Sequence, residues 1–424
     1  MLFRSKAFRN CPELQTVVFR ENDTPLLSIG PNAFENAVKL TSLTFAESLK
    51  TINYGAFSGC TALESVAFPD SLTMIYGTGN YDRKGAFENC TALLHVKFGI
   101  RLTTLGSDTD SHGVFENCLN LEDVTFEGNL ITIGKRAFYG CEALKTLEFP
   151  DSLQTIGDYG FYNNIRLTRV AFGTDIKRIG KSAFMGCVSL KTVYFPASTT
   201  PLLTIDTSAF KNCVQLASLT LSDALTTLGS GAFSGCTMLR KMTVPSIISK
   251  VSDGVFAGMS NLKEVTFLGL PPENLANAGL ASDVTIRYSS EYAEEWEEII
   301  ANCGFTNAKP YNAGSGAVVL PAEDSRYELS TDPSDRSIAS VTVNDDSAID
   351  SFVLTDGKVY DSVLRIVNTA NRDVTLTLPT GYAYETFEGA NPLTIPANSR
   401  NILTITRTAV NTFLVSREKL KVLE

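Results

Sequence analysis

One phenylalanine recurs along most of the chain, usually after an alanine and always six residues before a leucine. These phenylalanines, called anchors, are Phe8, Phe34, Phe57, Phe87, Phe115, Phe138, Phe161, Phe184, Phe210, Phe233 and Phe256. Successive anchors lie 26, 23, 30, 28, 23, 23, 23, 26, 23 and 23 residues apart, so the base period is 23 and four coils carry insertions. A fixed period of this length is typical of a solenoid, in which each repeat contacts mainly its neighbours.

Each coil follows the consensus Ala-Phe-x-(Asn/Gly)-Cys-x-x-Leu-x-x-Val-x-Phe-Pro-x-x-Leu-x-x-Ile-Gly. Apolar and polar residues alternate in its middle, as at Leu147 and Phe149, which predicts a short strand with apolar side chains inward. A second short strand is expected at segments such as Leu153-x-x-Ile156. Stacked coils would pair these strands into a parallel sheet about 50 Å long at roughly 4.8 Å per coil.

The second residue after every anchor is Asn or Gly, two residues that tolerate a positive φ. We therefore expect one helical turn around each Ala-Phe pair, closed by a left-handed residue. The predicted fold of residues 1–267 is an α/β solenoid of about eleven coils.

Eight of the nine cysteines lie three residues after an anchor. The same slot holds Ala37, Asn164 and Met259 in the remaining coils. A slot that also accepts alanine or methionine is typical of a small buried side chain, so we expect free thiols rather than disulfides. No CxxC pair accompanies them, and we expect no metal site and no cofactor.

The 23-residue unit resembles the BspA-like leucine-rich repeats, also called the Treponema pallidum type, over roughly 63% of the chain. The resemblance implies a bacterial secreted or surface protein with a binding role, in some members adhesion to host matrix or to other bacteria. Leucine-rich repeats serve many functions, so this inference is by analogy.

Charge is unevenly distributed: residues 1–267 hold 24 basic and 24 acidic residues, whereas 268–424 hold 12 and 22. A neutral solenoid with an acidic remainder argues against nucleic-acid binding, which needs a basic stripe. The chain contains no run of eighteen apolar residues, so the sequence predicts no membrane-spanning helix. Residues 1–3 enter the pattern in mid-repeat, so we expect a chain from which an export signal has been removed.

Two sets of residues break the repeat and are the candidates for partner binding. The outward strand positions are mostly Thr and Ser, and the exceptions in the middle coils are His95, Lys97, Asp123, Glu148, Arg169 and Tyr194. They suit either a soluble sheet surface or a shallow protein-binding patch.

The second set lies in two long insertions, 76–85 and 106–113, which occur at the same point of consecutive coils and should project side by side. Their candidates are Tyr76, Tyr81, Arg83, Asp108, Asp110 and His112. Tyr and Arg are enriched at interaction hot spots. Asp108-x-Asp110 could instead hold Ca²⁺, although it lacks the complete EF-hand ligand set, and tolerated loop variation is the third alternative.

Catalytic patterns are scarce, because His95 and His112 are the only histidines and no HExxH, GxSxG or phosphate-binding loop occurs. Carboxylate pairs such as Asp108 and Asp110 would need a cleft with a raised-pKa acid to hydrolyse glycosides. We therefore expect no enzymatic activity.

The repeat ends at Phe267, and 268–310 reads as a strand, helix and strand that would cover the end of the solenoid. The helix is expected over 291–300 after a Ser289-Ser290 cap, with Trp296 in a packing role. Residues 312–317 suggest a linker. From 318 to 424 we expect a β-sandwich. Its predicted strands are 340–343, 351–354, 362–367, 373–378, 401–406 and 412–416.

Together these features predict a non-enzymatic, secreted or cell-surface protein that binds a protein or glycan of a host or neighbouring cell through its solenoid. The alternative is a structural spacer that presents a C-terminal sandwich. That domain would then anchor the protein or bind glycans through aromatics such as Tyr382, Tyr384 and Phe387.

Overall fold

The computed structural model describes residues 2–20, 25–78, 83–195, 204–219, 221–222 and 225–311, together with the backbone of nine strands between 326 and 419. The chain divides into two units. One comprises Met1–Tyr288 and Glu294–Lys309, and the other comprises Ser289–Ala293 and Pro310–Glu424.

Two-residue strands, one in each of ten coils, form a continuous parallel back sheet. In chain order they are β1 (Leu2–Phe3), β3 (Ser28–Ile29), β5 (Thr51–Ile52), β7 (Met74–Ile75), β9 (Thr104–Leu105), β11 (Thr132–Ile133), β13 (Thr155–Ile156), β15 (Arg178–Ile179), β17 (Thr204–Ile205) and β19 (Thr227–Leu228). Register is kept throughout, since Ile133 lies opposite Ile156 and Ile156 lies opposite Ile179. The second residue of the strands from β3 to β19 is buried, as the consensus predicts.

The front strands form four shorter sheets, β2-β4, β6-β8-β10, β12-β14-β16-β18 and β20-β21-β22-β23. Those from β2 to β21 each follow an anchor, and the paired strands from β2 to β22 are parallel. They are β2 (Thr16–Val18), β4 (Ser42–Thr44), β6 (Ser65–Ala67), β8 (His95–Lys97), β10 (Asp123–Thr125), β12 (Thr146–Glu148), β14 (Arg169–Ala171), β16 (Thr192–Tyr194), β18 (Ser218–Leu219), β20 (Lys241–Val244), β21 (Glu264–Phe267), β22 (Thr285–Ser289) and β23 (Ala308–Tyr311). Because β22 and β23 continue the stack, the solenoid has about thirteen turns rather than eleven.

The Ala-Phe segments form successive turns instead of the predicted turn of helix. In the coil of Phe138, Ala137 N donates to Gly134 O and Tyr139 N donates to Arg136 O, three residues back. The N–H of Phe138 between them donates to Gly160 O of the next coil at 2.8 Å. Since alternate N–H groups bond to the neighbouring coil, the segment cannot complete the i to i−4 bonds of an α-helix. The α/β prediction for the coils is therefore wrong, and they form a β-solenoid.

The Asn or Gly after each anchor has a positive φ, as predicted. All eleven positions are left-handed, from φ 56° at Asn10 to φ 80° at Gly186. Where asparagines succeed each other their amides bond, with Asn36 Nδ2 2.9 Å from Asn10 Oδ1. Where one coil has Gly and the preceding coil has Asn at this position, the Asn side-chain amide occupies the space that a Cβ on the glycine would need. A Cβ on Gly235 would lie 2.5 Å from Asn212 Oδ1.

Two phenylalanine ladders form the core along the solenoid axis. From Phe34 to Phe233 successive anchor rings stack with centroids 5.0 to 5.7 Å apart. The phenylalanine eleven residues after each anchor from Phe8 to Phe184 forms the second ladder, which Leu221 and Val244 interrupt. It meets the first ladder edge to face, as Phe68 does with Phe87 at 5.5 Å. Each stacked ring adds about 0.5–1.5 kcal/mol to the stabilisation from burying its area.

The cysteine slot is buried, as predicted, in every coil except the first, where Cys11 is half-buried, and all nine cysteines are free thiols. The thiols also donate hydrogen bonds, a role that the sequence interpretation missed. Each buried thiol donates to the carbonyl of the preceding anchor, as Cys141 Sγ does to Phe115 O at 3.1 Å. Asn164, which replaces cysteine in one coil, donates from Nδ2 to Phe138 O at 3.1 Å.

The first unit ends with a helix that packs against the last coils. Helix α1 (Ala293–Cys303) follows a 3₁₀ turn at Leu275–Asn277 and another at Ser290–Tyr292, where Ser289 Oγ accepts from Glu291 N. Trp296 is fully buried, lies 5.0 Å from the Phe267 ring, and donates from Nε1 to Gly269 O at 3.1 Å. Its structural role agrees with the prediction. The strand after the helix is β23 (Ala308–Tyr311), which lies later than the Cys303–Phe305 strand that the sequence pattern indicates.

The second unit contains two sheets. One has the order β24-β26-β28-β30 and the other β25-β27-β31-β32-β29. The strands are β24 (Arg326–Leu329), β25 (Ala339–Val343), β26 (Ser351–Leu354), β27 (Ser362–Asn368), β28 (Val374–Thr377), β29 (Ala383–Thr386), β30 (Leu393–Ile395), β31 (Ser399–Ala409) and β32 (Thr412–Lys419). All six predicted strands are present, and β24, β29 and β30 were not predicted. Throughout the described ranges, no helix has the length and apolar content required to span a bilayer.

Replacing Gly235 by alanine should destabilise the protein more than replacing Gly258 by alanine. Both glycines have positive φ, at 77° and 72°, so each substitution should cost about 1–2 kcal/mol in backbone strain. A Cβ at 258 would lie in ordinary contact with Gly235 N at 3.5 Å and Gly235 Cα at 3.6 Å, whereas a Cβ at 235 would displace the Asn212 amide. Denaturant midpoints would measure the difference, and Gly235→Asn should fall between the two because asparagines can stack. Equal losses for the two alanine variants would refute this explanation.

Thiol titration of the denatured, unreduced protein should find all nine cysteines, whereas the native protein should react rapidly only at Cys11 and Cys303. Those two are half-buried, and the other seven are buried. Burial raises the pKa of Cys60, Cys187 and Cys236 to about 12 each, which suppresses the reactive thiolate. A count well below nine after denaturation would reveal disulfides.

Candidate functional site

The outward candidates on β8 and β10 form exposed pairs between neighbouring strands. His95 lies opposite Asp123 in the sheet register, and its Nδ1 contacts Asp123 Oδ2. Lys97 Nζ lies 3.2 Å from Glu127 Oε1. Each of these side chains is partly or largely exposed, so the pairs contribute little to stability but define a pattern of charge.

The remaining outward candidates continue this pattern on β12, β14 and β16. Arg169 Nη1 donates to Glu148 Oε1 at 2.6 Å across the first two strands. In the register of the three strands, Glu148 lies opposite Ala171 and Ala171 opposite Tyr194. Ala171 thus separates the Glu148 carboxylate from Tyr194, which is 45% exposed.

The two insertions lie beside each other, as their common phase predicts. Thr78 and His112 form an antiparallel bridge in which each N–H donates to the other residue's carbonyl at 3.4 Å. Tyr76 is exposed, and the Arg83 guanidinium lies 4.6 Å from the centre of the Tyr54 ring. Tyr81 lies outside the described residues.

Asp110 does not belong to the surface that we expected the insertions to share, because it is buried. Its carboxylate accepts from Ser107 N at 2.7 Å and from Ser107 Oγ at 2.9 Å, closing its own loop. Burial raises the pKa of Asp110, against the lowering effect of the two Ser107 bonds. Asp110 therefore shapes the insertion from within.

The neighbouring Asp108 is exposed and lies 3.9 Å from Arg178 Nη1, a guanidinium that also contacts Asp158 and Asp206 at 3.0 Å each. Asp108 and Asp110 thus have different protein partners. Within the described ranges, no group of three or more His, Cys, Asp or Glu side chains is placed to hold a metal ion.

His112 points inward to a cluster of buried carboxylates that the sequence interpretation missed. The His112 side chain is half-buried, and its buried Nδ1 lies 3.3 Å from Glu88 Oε2 without hydrogen-bond geometry. Glu88 Oε2 accepts from Gly85 N, and Glu116 Oε2 accepts from Gly113 N, both at 2.9 Å. The sequence signal for this cluster was Gly-x-Phe-Glu, because a Glu side chain can accept a hydrogen bond from the backbone N–H of the residue three positions before it.

Arg136 completes this cluster from the next coil. Its Nε donates to Glu116 Oε2 at 3.0 Å and its Nη2 to Glu116 Oε1, a bidentate pair that compensates the buried charge. Glu88 has no arginine partner of this kind within the described ranges. Burial raises the pKa of Glu88, and the Glu116 carboxylate adds to the rise, while Gly85 N–H, His112 and Lys84 oppose it.

The amino-acid sequence matches a family model for BspA-type leucine-rich repeat regions, in six copies, over residues 3–109, 111–202 and 198–279. No protein of curated function matches it.

Several solved structures of bacterial proteins are similar to the chain. A leucine-rich repeat protein from Bacteroides ovatus is 20% identical, with a TM-score of 0.46, over 74% of this chain and 87% of that one. The pneumococcal vaccine antigen PcpA is 20% identical, with a TM-score of 0.41, over 71% and 67%. The leucine-rich repeat protein of Treponema pallidum is 19% identical, with a TM-score of 0.24, over 56% and 71%.

Glu88→Gln should stabilise the protein relative to wild type increasingly as the pH rises. A raised folded-state pKa favours the protonated acid on folding, so this contribution is complete below the ordinary pKa of 4.5 and is lost as the pH rises through the folded value. The amide cannot ionise and avoids that loss. Melting temperatures measured from pH 4.5 to 7.5 should show a relative gain of about 1–3 °C.

Glu122→Gln provides a control of opposite sign. The exposed Glu122 accepts from Lys145 Nζ at 2.7 Å, and this bond lowers the pKa of Glu122. Stability from a lowered pKa is present above the ordinary value of 4.5 and is lost as the pH falls through the folded one. Relative to wild type, this variant should therefore lose stability as the pH rises towards 4.5 and stay level above it, so its melting series also extends below pH 4.5. The same trend in both variants would contradict the assignment for Glu88.

Proposed function

Because the chain belongs to the BspA-type leucine-rich repeat family, we propose that it is a non-enzymatic protein that recognises a macromolecular partner through the solenoid. Its location would be outside the cell or on the cell surface, as the family resemblance implies. The partner would be a protein or glycan of a host or neighbouring cell, and no nucleic acid is involved. Repeat solenoids often bind through such extended surfaces because successive coils hold their side chains at fixed spacing.

The observation that carries this proposal is the outward face of β8, β10, β12, β14 and β16. Paired charges and an exposed tyrosine replace threonine and serine there. His95 faces Asp123, and Arg169 faces Glu148. The effect of these pairs would therefore be a local charge pattern rather than a net field. Such patterns give specificity more than affinity. Tyr194 is the exposed aromatic that would supply contact area beside them.

The insertions are the second part of the proposed surface. Tyr76 and Arg83 remain candidates for contact, whereas Asp110 and His112 would act by holding the loops in place. Their paired backbones at Thr78 and His112 provide a fixed edge.

We further propose that 268–310 covers the end of the solenoid and that 318–424 forms a β-sandwich. Two sheets of four and five strands suit a sandwich. This organisation favours the alternative function, in which the solenoid is a spacer and the sandwich anchors the protein or binds glycan. Tyr384 would then contribute from β29, while Tyr382 and Phe387 lie outside the described residues.

Exchanging the charges of one front-face pair should abolish recognition without unfolding the protein. In the double variant Glu148→Arg with Arg169→Glu the ion pair is retained while the presented pattern is reversed. We expect binding of the full chain to extracellular-matrix proteins or to an arrayed glycan to weaken about tenfold or more, as at interface hot spots. Biolayer interferometry against each immobilised probe measures this.

The matched control is Lys241→Glu with Glu264→Lys, an exchange within another front-face pair, whose Nζ and Oε1 are 3.5 Å apart. It should leave binding unchanged. Unaltered binding in the 148/169 variant would overturn the front-face proposal. Glycan binding that neither exchange affects would instead favour the spacer alternative.

A further inference from the structure

Three coils carry a glutamate directly after the anchor, at Glu35, Glu88 and Glu116, and each of these residues is buried. A buried carboxylate needs an opposite charge nearby, because burial removes its hydration. Arg9 Nε lies 2.7 Å from a carboxylate oxygen of Glu35, and Arg136 contacts Glu116. Since arginine remains protonated in proteins, the charge compensation of these two glutamates does not depend on pH.

Glu88 differs from the other two glutamates because its contact is a histidine. His112 Nδ1 lies 3.3 Å from Glu88 Oε2, and this buried nitrogen makes no hydrogen bond to the described residues. Lys84 also favours the ionised form of Glu88, although less than His112 does, whereas Glu116 disfavours it. Histidine side chains change their charge between about pH 5 and 8. The main counter-charge of Glu88 therefore depends on a proton.

The Glu88 carboxylate lies where the two insertions meet the solenoid. Its Oε2 accepts from the N–H of Gly85, the last residue of the first insertion, and the same oxygen faces His112 near the end of the second. The two backbones touch at this point, since a Cβ on Gly85 would lie 1.8 Å from Gly113 O. One carboxylate oxygen thus contacts both insertions.

Backbone hydrogen bonds also join the insertions. Ser111 N donates to Thr78 O, and the two bonds between Thr78 and His112 are each 3.4 Å long. That length exceeds the usual range for N–H···O bonds, so the bridge is weak. The contact between His112 and Glu88 is therefore placed to decide how firmly the insertions are held together.

Asp110 is a second titratable group at this junction. Its carboxylate packs against the first insertion at Gly77, where a Cβ would lie 2.0 Å from Oδ2. Lys135 favours the ionised form of Asp110, and Asp108 disfavours it. Both hydrogen bonds to this carboxylate come from Ser107 in its own loop. A substitution at Glu88 leaves these partners in place and therefore tests the Glu88–His112 pair alone.

We propose that Glu88 and His112 form a proton-dependent latch that holds the two insertions together while the pair carries a proton. In that state the buried carboxylate either is neutral or faces an imidazolium. When the proton is lost to solvent, the carboxylate is charged and faces a neutral imidazole, so the pair no longer favours the closed arrangement. Glu35 and Glu116 give no such response, because arginine does not release its proton.

The pH dependence of Glu88 has the same sign. Burial raises its pKa, so the stability that it contributes is complete below 4.5 and is lost as the pH rises through the folded value. The consequence for recognition rests on the proposed function. The edge that carries Tyr76 and Arg83 would be held more firmly, and would bind better, in acid than in alkali.

Hydrogen exchange of the full chain, measured by mass spectrometry, tests the latch without a ligand. After correction for the intrinsic exchange rate, peptides that contain Gly85 or His112 should exchange about tenfold faster at about pH 8 than at about pH 5, because one proton can change an equilibrium about tenfold per pH unit. Peptides from the coil of Phe161 should show no such change.

Glu88→Gln is the key variant, because the amide keeps the size of the side chain and cannot ionise. Its peptides should keep their protection at both pH values. His112→Gln should move the loss of protection to lower pH, since only the carboxyl group can then hold the proton. The matched control is His95→Gln, which removes the exposed histidine of β8 and should behave as wild type.

Protection that does not change with pH in wild type would overturn the proposal. An equal loss of protection in Glu88→Gln would also overturn it and would assign the effect to Asp110. A loss that His95→Gln removes would do the same in favour of the front face. Because no ligand enters the measurement, failure of the latch is distinguishable from failure of the proposed recognition, which the exchange of Glu148 and Arg169 tests.

Discussion

Stacking of the anchor phenylalanines along the axis is the interaction on which the other features of the solenoid depend. Each ring packs on the ring of the next coil at just over 5 Å, close to the spacing of paired parallel strands. Aromatic stacking and backbone pairing are therefore satisfied by the same repeat distance. A coil can be lengthened between anchors, as before Phe87 and Phe115, without disturbing either.

That common spacing also explains which small features recur. The left-handed residue after each anchor lets the chain turn from the anchor towards the front strand, and it must be Asn or Gly because few other residues adopt that φ without strain. The buried thiol of the next position satisfies the preceding anchor's carbonyl, which Asn164 does equally well with its amide. The repeated residues thus satisfy backbone hydrogen bonds between coils as well as form the hydrophobic core.

The surfaces available for recognition arise where this pattern permits variation. The front face carries paired side chains of opposite charge at Glu148 and Arg169. On the turn segments, Tyr139 and Tyr162 of neighbouring coils stack. The coils hold these side chains in register, so their spacing comes from the core and their chemistry from the residues that do not repeat.

Much of the solenoid was predictable because its contacts repeat. Periodicity alone assigns Leu147 to the core, Cys141 to a buried slot and Asn163 to a positive φ. Periodicity did not exclude a helical turn around each anchor. Only the tertiary structure shows that Phe138 N donates to a carbonyl of the next coil instead. The common slot of Tyr139 and Tyr162 was visible in the spacing, but their stacking was not.

The amino-acid sequence by itself determined the phase of every coil, and with it which strand positions point inward or outward. The tertiary structure decided how non-repeating residues meet: that Asp110 turns inward to Ser107, that His112 approaches Glu88, and that Arg136 joins Glu116. The physical reason is that a repeated contact is specified once by the period. A contact in an insertion depends instead on the path of a loop that no other coil repeats.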